Sequence, residues 1–216
     1  MNLYKIGKIN LTEKELEKKG IEILEGNGRP VFVLMAGTNI DRLVTFYKIA
    51  NATKRLFLID TYAGKITDTI GGNIPNPRTF SNVRIFLTNQ DKYEILKNYP
   101  QNKIGKNEIA NKNFMMCIRS SMKQYLENRS KEFSFKGCVL FYSMWEGYKK
   151  QENMKEFLKF MEEKGVKTIS LHTSGHADEK DFDKLIKKIE PEIIIPVHTE
   201  NSEWFKRYEK CEVICD

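Results

Sequence analysis

Short apolar runs recur along this chain, with stretches of helical periodicity between them. Val31–Met35 (VFVLM), Arg55–Asp60 (RLFLID), Asn82–Leu87, Asn113–Ile118 and Gly137–Tyr142 (GCVLFY) are such runs. VFVLM and GCVLFY run without polar alternation, as a strand covered on both faces requires. Between the first two, Leu43, Phe46, Tyr47 and Ala50 recur at helical spacing after Asn39, a residue suited to capping a helix. Strand, helix and strand here make a βαβ unit with parallel strands. Upstream, Thr12 and Glu15 have capping-box spacing, which predicts a helix to about Leu24, stopped by the polar, Gly- and Pro-containing stretch 25–30. The opening MNLYKIGKIN has no clear period.

Residues 61–82 hold three Pro or Gly clusters and read as a long loop or lid. Asp91–Lys112 reads as one helix and an irregular arm, and Met122, Tyr125 and Leu126 mark a helix after Arg119. Phe157, Leu158 and Met161 mark another within Met154–Lys164, ended by Gly165. The C-terminal part predicts a buried strand (Lys167–Leu171), a polar turn, a helix (Glu179–Ile189), a second buried strand (Glu192–Val197) and a short terminal strand in EVICD. The fold class is therefore α/β, a mostly parallel sheet flanked by helices.

The 216 residues can bury a good core, as one large domain or two small ones. No apolar run approaches the roughly 18 residues of a membrane span and no signal peptide opens the chain, so a cytoplasmic location without membrane contact is expected. Cys117 and Cys138 lie in apolar runs; Cys211 and Cys215 lack the second pair that a structural zinc site needs. The net charge of +7 is uneven, with nine Lys or Arg against four Asp or Glu over residues 91–131. Such a region either attracts a polyanion or forms a solvated lysine-rich surface.

All three histidines, His172, His176 and His198, lie in the two loops that follow the predicted C-terminal strands. Carboxyl ends of strands are where open α/β sheets bind ligands, so the three histidines are expected to face one crevice. A single strand-end histidine often serves only as a hydrogen-bonding residue; three in two neighbouring loops, with none elsewhere, favour a site.

The sequence HTSGHA (172–177), followed by an amphipathic helix and IIPVHTE (194–200), resembles the C-terminal signature of the β-CASP branch of the metallo-β-lactamase superfamily. That branch contains RNase J-like ribonucleases. GTNIDRLVTFYKIA with KRLFLIDTYA resembles the start of its β-CASP domain. The resemblance implies His176 as the catalytic proton donor and His198 as a zinc ligand. It implies Thr38, Asn39, Ser143, His172, Thr173 and Ser174 as contacts to substrate phosphate, with Arg42 one turn further into the helix. Asp60 is placed away from the metals and reads as structural. Trp145 and Tyr148 either stack on bases or pack at a domain edge.

The resemblance further implies a β-CASP-like α/β domain over residues 1–150 and a C-terminal segment of a metallo-β-lactamase core over 151–216. Intact relatives cleave RNA or DNA phosphodiesters with zinc. Their H-x-H-x-D-H metal loop cannot be present, because the first 171 residues contain no histidine. One histidine ligand is too few for a catalytic zinc, which takes about three protein ligands. The chain alone is therefore expected to be catalytically silent, as a fragment, a truncated product or one half of a split enzyme. It is expected to seek a partner, as a homodimer or with the missing N-terminal half. A non-catalytic nucleic-acid-binding module is the alternative. A nucleotide-binding doubly wound domain is weaker, since no G-x-G-x-x-G or P-loop follows a strand.

Overall fold

A computed structural model describes residues 11–88, 99, 102–173, 179–197, 199 and 201–215. The chain forms two compact units, one of residues 11–173 and a smaller one to which residues 179–215 belong.

The larger unit is built on a six-stranded sheet. Its strands are β1 (Val31–Met35), β2 (Leu56–Ile59), β3 (Val83–Ile85), β4 (Phe114–Ile118), β5 (Val139–Ser143) and β6 (Lys167–Ser170). They lie in the order β3-β2-β4-β1-β5-β6, and every described pairing is parallel. β1 is central, and its register sets Val33 beside Cys117 on β4 and beside Phe141 on β5.

Alternation along each strand divides the core between the two faces. Val31, Val33, Phe57, Ile59, Met115 and Phe141 pack with α1 (Glu13–Leu24), α2 (Ile40–Ala52) and α3 (Thr61–Ile70). Phe32, Leu34, Leu58, Phe114, Leu140 and Tyr142 pack with α4 (Lys106–Ala110), α5 (Lys123–Arg129) and α6 (Glu152–Glu163) on the other face. The apolar runs were continuous because both faces are covered. Burying each large side chain contributes about 1.5–3 kcal/mol.

The capping box at Thr12 is present: its hydroxyl accepts from the Glu15 amide (3.2 Å), and the Glu15 carboxylate accepts from the Thr12 amide (2.8 Å). The expected loop over residues 61–82 is corrected in its first half, where α3 runs. Asp60 caps α3 by accepting from the Ala63 amide at 2.9 Å, and Gly71, at φ 65°, ends it. Its buried stripe is Thr61, Ala63, Gly64 and Thr67, too small and polar to register as a hydrophobic face. Gly64 permits the close approach of α3 to the sheet, since a Cβ there would fall 2.7 Å from Ile85 Cδ1.

Two C-terminal expectations are also corrected. β6 is an edge strand, bonded to β5 and largely exposed, rather than a buried one. The expected strand Glu192–Val197 is reduced to β7 (Ile193–Ile194), which pairs in parallel with β8 (Glu212–Val213) in a separate two-stranded sheet. Apolar composition had suggested burial, but Ile193, Ile195 and Val197 are exposed. In this smaller unit α7 (Glu179–Ile189) has acidic residues in its first turn and lysines in its last, which suits the helix dipole. Phe182, Trp204, Phe205 and Tyr208 form an aromatic cluster, with the Arg207 guanidinium 4.2 Å from the Trp204 ring centre. No helix among the described residues is long and apolar enough to cross a membrane.

Candidate functional site

Neighbouring strands β1 and β5 send their connections in opposite directions. From β1 the chain runs through α2 on one face to β2; from β5 it runs through α6 on the other face to β6. Their carboxyl ends therefore flank a topological switch point, the place where a parallel α/β sheet opens a crevice. Residues after β1, β5 and β6 meet there on one guanidinium.

Arg42 supplies it. The residue is 1% exposed, so it faces the interior rather than substrate phosphate, as the helix position had suggested. Its Nε and Nη2 donate to the Glu13 carboxylate of α1, at 2.9–3.2 Å. Nη1 donates to Ser143 Oγ at the end of β5 and lies 3.2 Å from His172 Nδ1 after β6. Nη2 also donates to the Thr173 carbonyl at 3.0 Å. Thr45 Oγ1 adds a 2.6 Å bond to Glu13. A buried guanidinium is tolerable only when its donors are met in this way.

Burial tends to raise the Glu13 carboxyl, but the hydrogen bonds from Arg42 and Thr45 outweigh it and hold the group below its ordinary value. His172 is held below the usual imidazole range, first by burial and then by the Arg42 charge. A hydrogen bond with the Ser143 backbone and the carboxylates of Glu146 and Glu13 oppose this. Because Arg42 can only donate, His172 Nδ1 accepts and its proton sits on Nε2 in the neutral ring. The neutral His172 thus has one N–H donor, which serves its hydrogen bond with the Ser143 backbone.

Asn39 caps α2, accepting from the Arg42 amide at 3.0 Å, and with Thr38 it is exposed at the helix N-terminus. Ser143 is buried and committed to Arg42. The Thr173 hydroxyl donates to the Leu11 carbonyl. Ser174, His176 and His198 lie outside the described residues. The geometry thus joins Ser143, His172 and Thr173 through Arg42, with Asn39 capping the same helix. Glu13 was not anticipated as a site residue: in the sequence it is simply the residue after a helix cap, 29 positions from Arg42.

A second polar group borders the first. Ser170 Oγ donates to Glu146 at 2.7 Å and accepts from Lys149 Nζ at 2.9 Å. Lys149 also lies 4.5 Å from the Tyr142 ring centre. Burial pushes the Tyr142 phenol up to about 12, with help from Glu146 and Tyr148. Further along the same edge, Asp60 both caps α3 and pairs with Arg119, which accounts for it as a structural residue.

The described residues do not fit a zinc ion. Among them no group of three His, Cys, Asp or Glu is gathered to hold a metal, and His172 Nδ1 is directed at a cation. Zinc accordingly belongs to what the family implies for intact relatives.

The lowered His172 value has a measurable consequence. The unfolded imidazole titrates near 6.5, so below that pH the unfolded chain binds more protons than the folded one. The contribution of His172 to stability is complete above about pH 6.5 and is lost as pH falls through its lower folded value. Urea unfolding between pH 7.5 and 5 should show a larger loss for wild type than for His172→Gln. Equal losses would rule out a neutral, Arg42-bound His172.

Residues 164–210, which include β6, His172 and Thr173, match the Zn-dependent metallo-hydrolase RNA specificity domain family (RMMBL). No curated protein sequence matches the chain. Among solved structures, a protein of unknown function from Enterococcus faecalis V583 is similar in fold, with a TM-score of 0.68 at 18% identity. The similarity covers 99% of this chain and 48% of that one, so the chain spans about half the length of the structure it matches. The segment that carries His172 thus resembles the Zn-dependent metallo-hydrolase RNA specificity domain, a match consistent with a β-CASP member of the metallo-β-lactamase superfamily.

Proposed function

We propose that this chain is the RNA-binding portion of a β-CASP-type metallo-hydrolase, and that RNA lies along the carboxyl edge of the sheet between the loops after β1, β5 and β6. The observation that carries this reading is the meeting of those loops on Arg42, in the part of the fold whose last strand begins the RNA-specificity match. Thr38, Asn39 and the N-terminal amides of α2 offer donors to a phosphate. A net charge of +7 favours approach of a polyanion. Ser143 acts by holding Arg42 and His172 in place. His176 keeps the role that the resemblance implies, protonating the leaving oxygen in an intact enzyme, and His198 that of a metal ligand.

The test is anisotropy of a 5′-labelled single-stranded RNA titrated with the full chain at several salt concentrations. Each neutralised phosphate of a single strand contributes a slope of about −0.7 to log K against log salt. Four contacts would weaken binding about 50-fold between 50 and 200 mM salt. A flat salt response, or no binding at 50 mM, would overturn the proposal.

A further inference from the structure

We propose that two aromatic platforms on the carboxyl edge of the sheet, Trp145 with Tyr148 and Tyr62 with Arg119, each stack an unpaired nucleobase of a single-stranded RNA. The inference rests on the RNA-binding reading above and names the form of RNA that the edge selects. Large exposed side chains cluster on this edge. Tyr62 (50% exposed) follows β2, and Trp145 (53% exposed) and Tyr148 follow β5.

Neighbouring groups seat these rings. The benzo ring of Trp145 occupies the space a side chain at 147 would need, 2.2 Å from an ideal Cβ, so only glycine lets the indole lie against this turn. Tyr148 meets it edge-on, ring centres 5.5 Å apart at 88°. The Tyr142 hydroxyl donates to the Trp145 carbonyl at 3.0 Å, tying the platform to the end of β5. On the other side Tyr62 rests near Gly37, where a Cβ would come within 3.3 Å of its ring. The Arg119 guanidinium lies 5.3 Å from the Tyr62 ring centre and is held by its ion pair with Asp60. A ring fixed before binding loses little entropy on stacking, which favours recognition rather than incidental exposure.

Thr38 and Asn39 lie between the platforms in strand order. β2 and β5 are separated by β4 and β1, so the chain segments that lead to Tyr62 and Trp145 leave the sheet about 14 Å apart, three strand spacings. The loop with Thr38 and Asn39 leaves from β1 within that interval. Phosphate donors flanked by aromatic faces suit a strand whose bases are unstacked and turned outward, and a duplex conceals those faces.

Intrinsic fluorescence tests this in the full chain, with a labelled ten-nucleotide RNA and an abasic backbone of equal length and charge as ligands. The RNA should quench tryptophan emission in wild type but not in Trp145→Phe, and the abasic backbone should not quench it. Trp145→Ala and Tyr62→Ala should each weaken binding between about fivefold and about 150-fold, while Trp145→Phe, which keeps a smaller aromatic face, should weaken it less than Trp145→Ala. Anisotropic binding without quenching, and with both alanine variants at wild-type affinity, would overturn the platforms and leave the RNA reading intact. Absence of RNA binding by wild type would overturn the RNA reading and the platforms together.

Discussion

Replacing Arg42 by alanine is expected to destabilise the larger unit by about 3 kcal/mol, seen as a lower urea midpoint at unchanged slope. The substitution removes every guanidinium bond to Glu13, Ser143, His172 and Thr173 together. What remains matters more than what is lost. Glu13 keeps its charge and the Thr45 hydroxyl but no cation. Breaking a buried ion pair from one side costs about 3–5 kcal/mol. The lower end applies because the Glu13 side chain is 36% exposed and water meets part of the cost. Glu13→Gln should also destabilise: the amide oxygen still accepts from Arg42, but the guanidinium, 1% exposed, loses its counter-ion. If Arg42→Ala unfolds at the wild-type midpoint, the guanidinium is not what holds these loops together. RNA binding should weaken as well, because the segments at the ends of β1, β5 and β6 would lose their common tie.

The second large effect lies in the core. Phe32→Ala should cost about 3–5 kcal/mol, the range for removing a fully buried aromatic ring. Phe32 is completely buried on central strand β1, its ring centre 4.9 Å from that of Phe135 and 6.2 Å from that of Phe114. Strands on both sides hold the backbone, so the cavity has little room to collapse. Against a typical total of about 5–15 kcal/mol, the loss would be a large fraction of the stability. Thermal and urea unfolding should agree on it. A cost under about 1 kcal/mol would mean that the ring is not packed as described.

These effects separate what was legible in the residue pattern from what was not. The central strands were legible because a parallel strand covered on both faces needs nothing but apolar residues, as VFVLM and GCVLFY show. The caps at Thr12 and Asn39 were legible because capping is local, within three residues. Helix α3 was missed because its buried positions are Thr61, Ala63, Gly64 and Thr67. Small residues are chosen there by the closeness of the sheet, which no hydrophobic period reports. At β6 and β7 the error ran the other way, since apolar residues imply burial only when another element covers them, and pairing decides which strand has a cover.

Local pattern was enough for the α/β class and the parallel order of strand and helix. Those properties depend on hydrophobic period and on short-range capping. The role of Arg42 depends on the folded chain. Glu13, Ser143, His172 and Thr173 stand 29, 101, 130 and 131 residues from it and become neighbours only when β1, β5 and β6 lie side by side. A guanidinium near a helix start is equally suited to phosphate or to a buried carboxylate. Packing of α1 on α2 brings the Glu13 carboxylate to it, and that contact directs Arg42 inward.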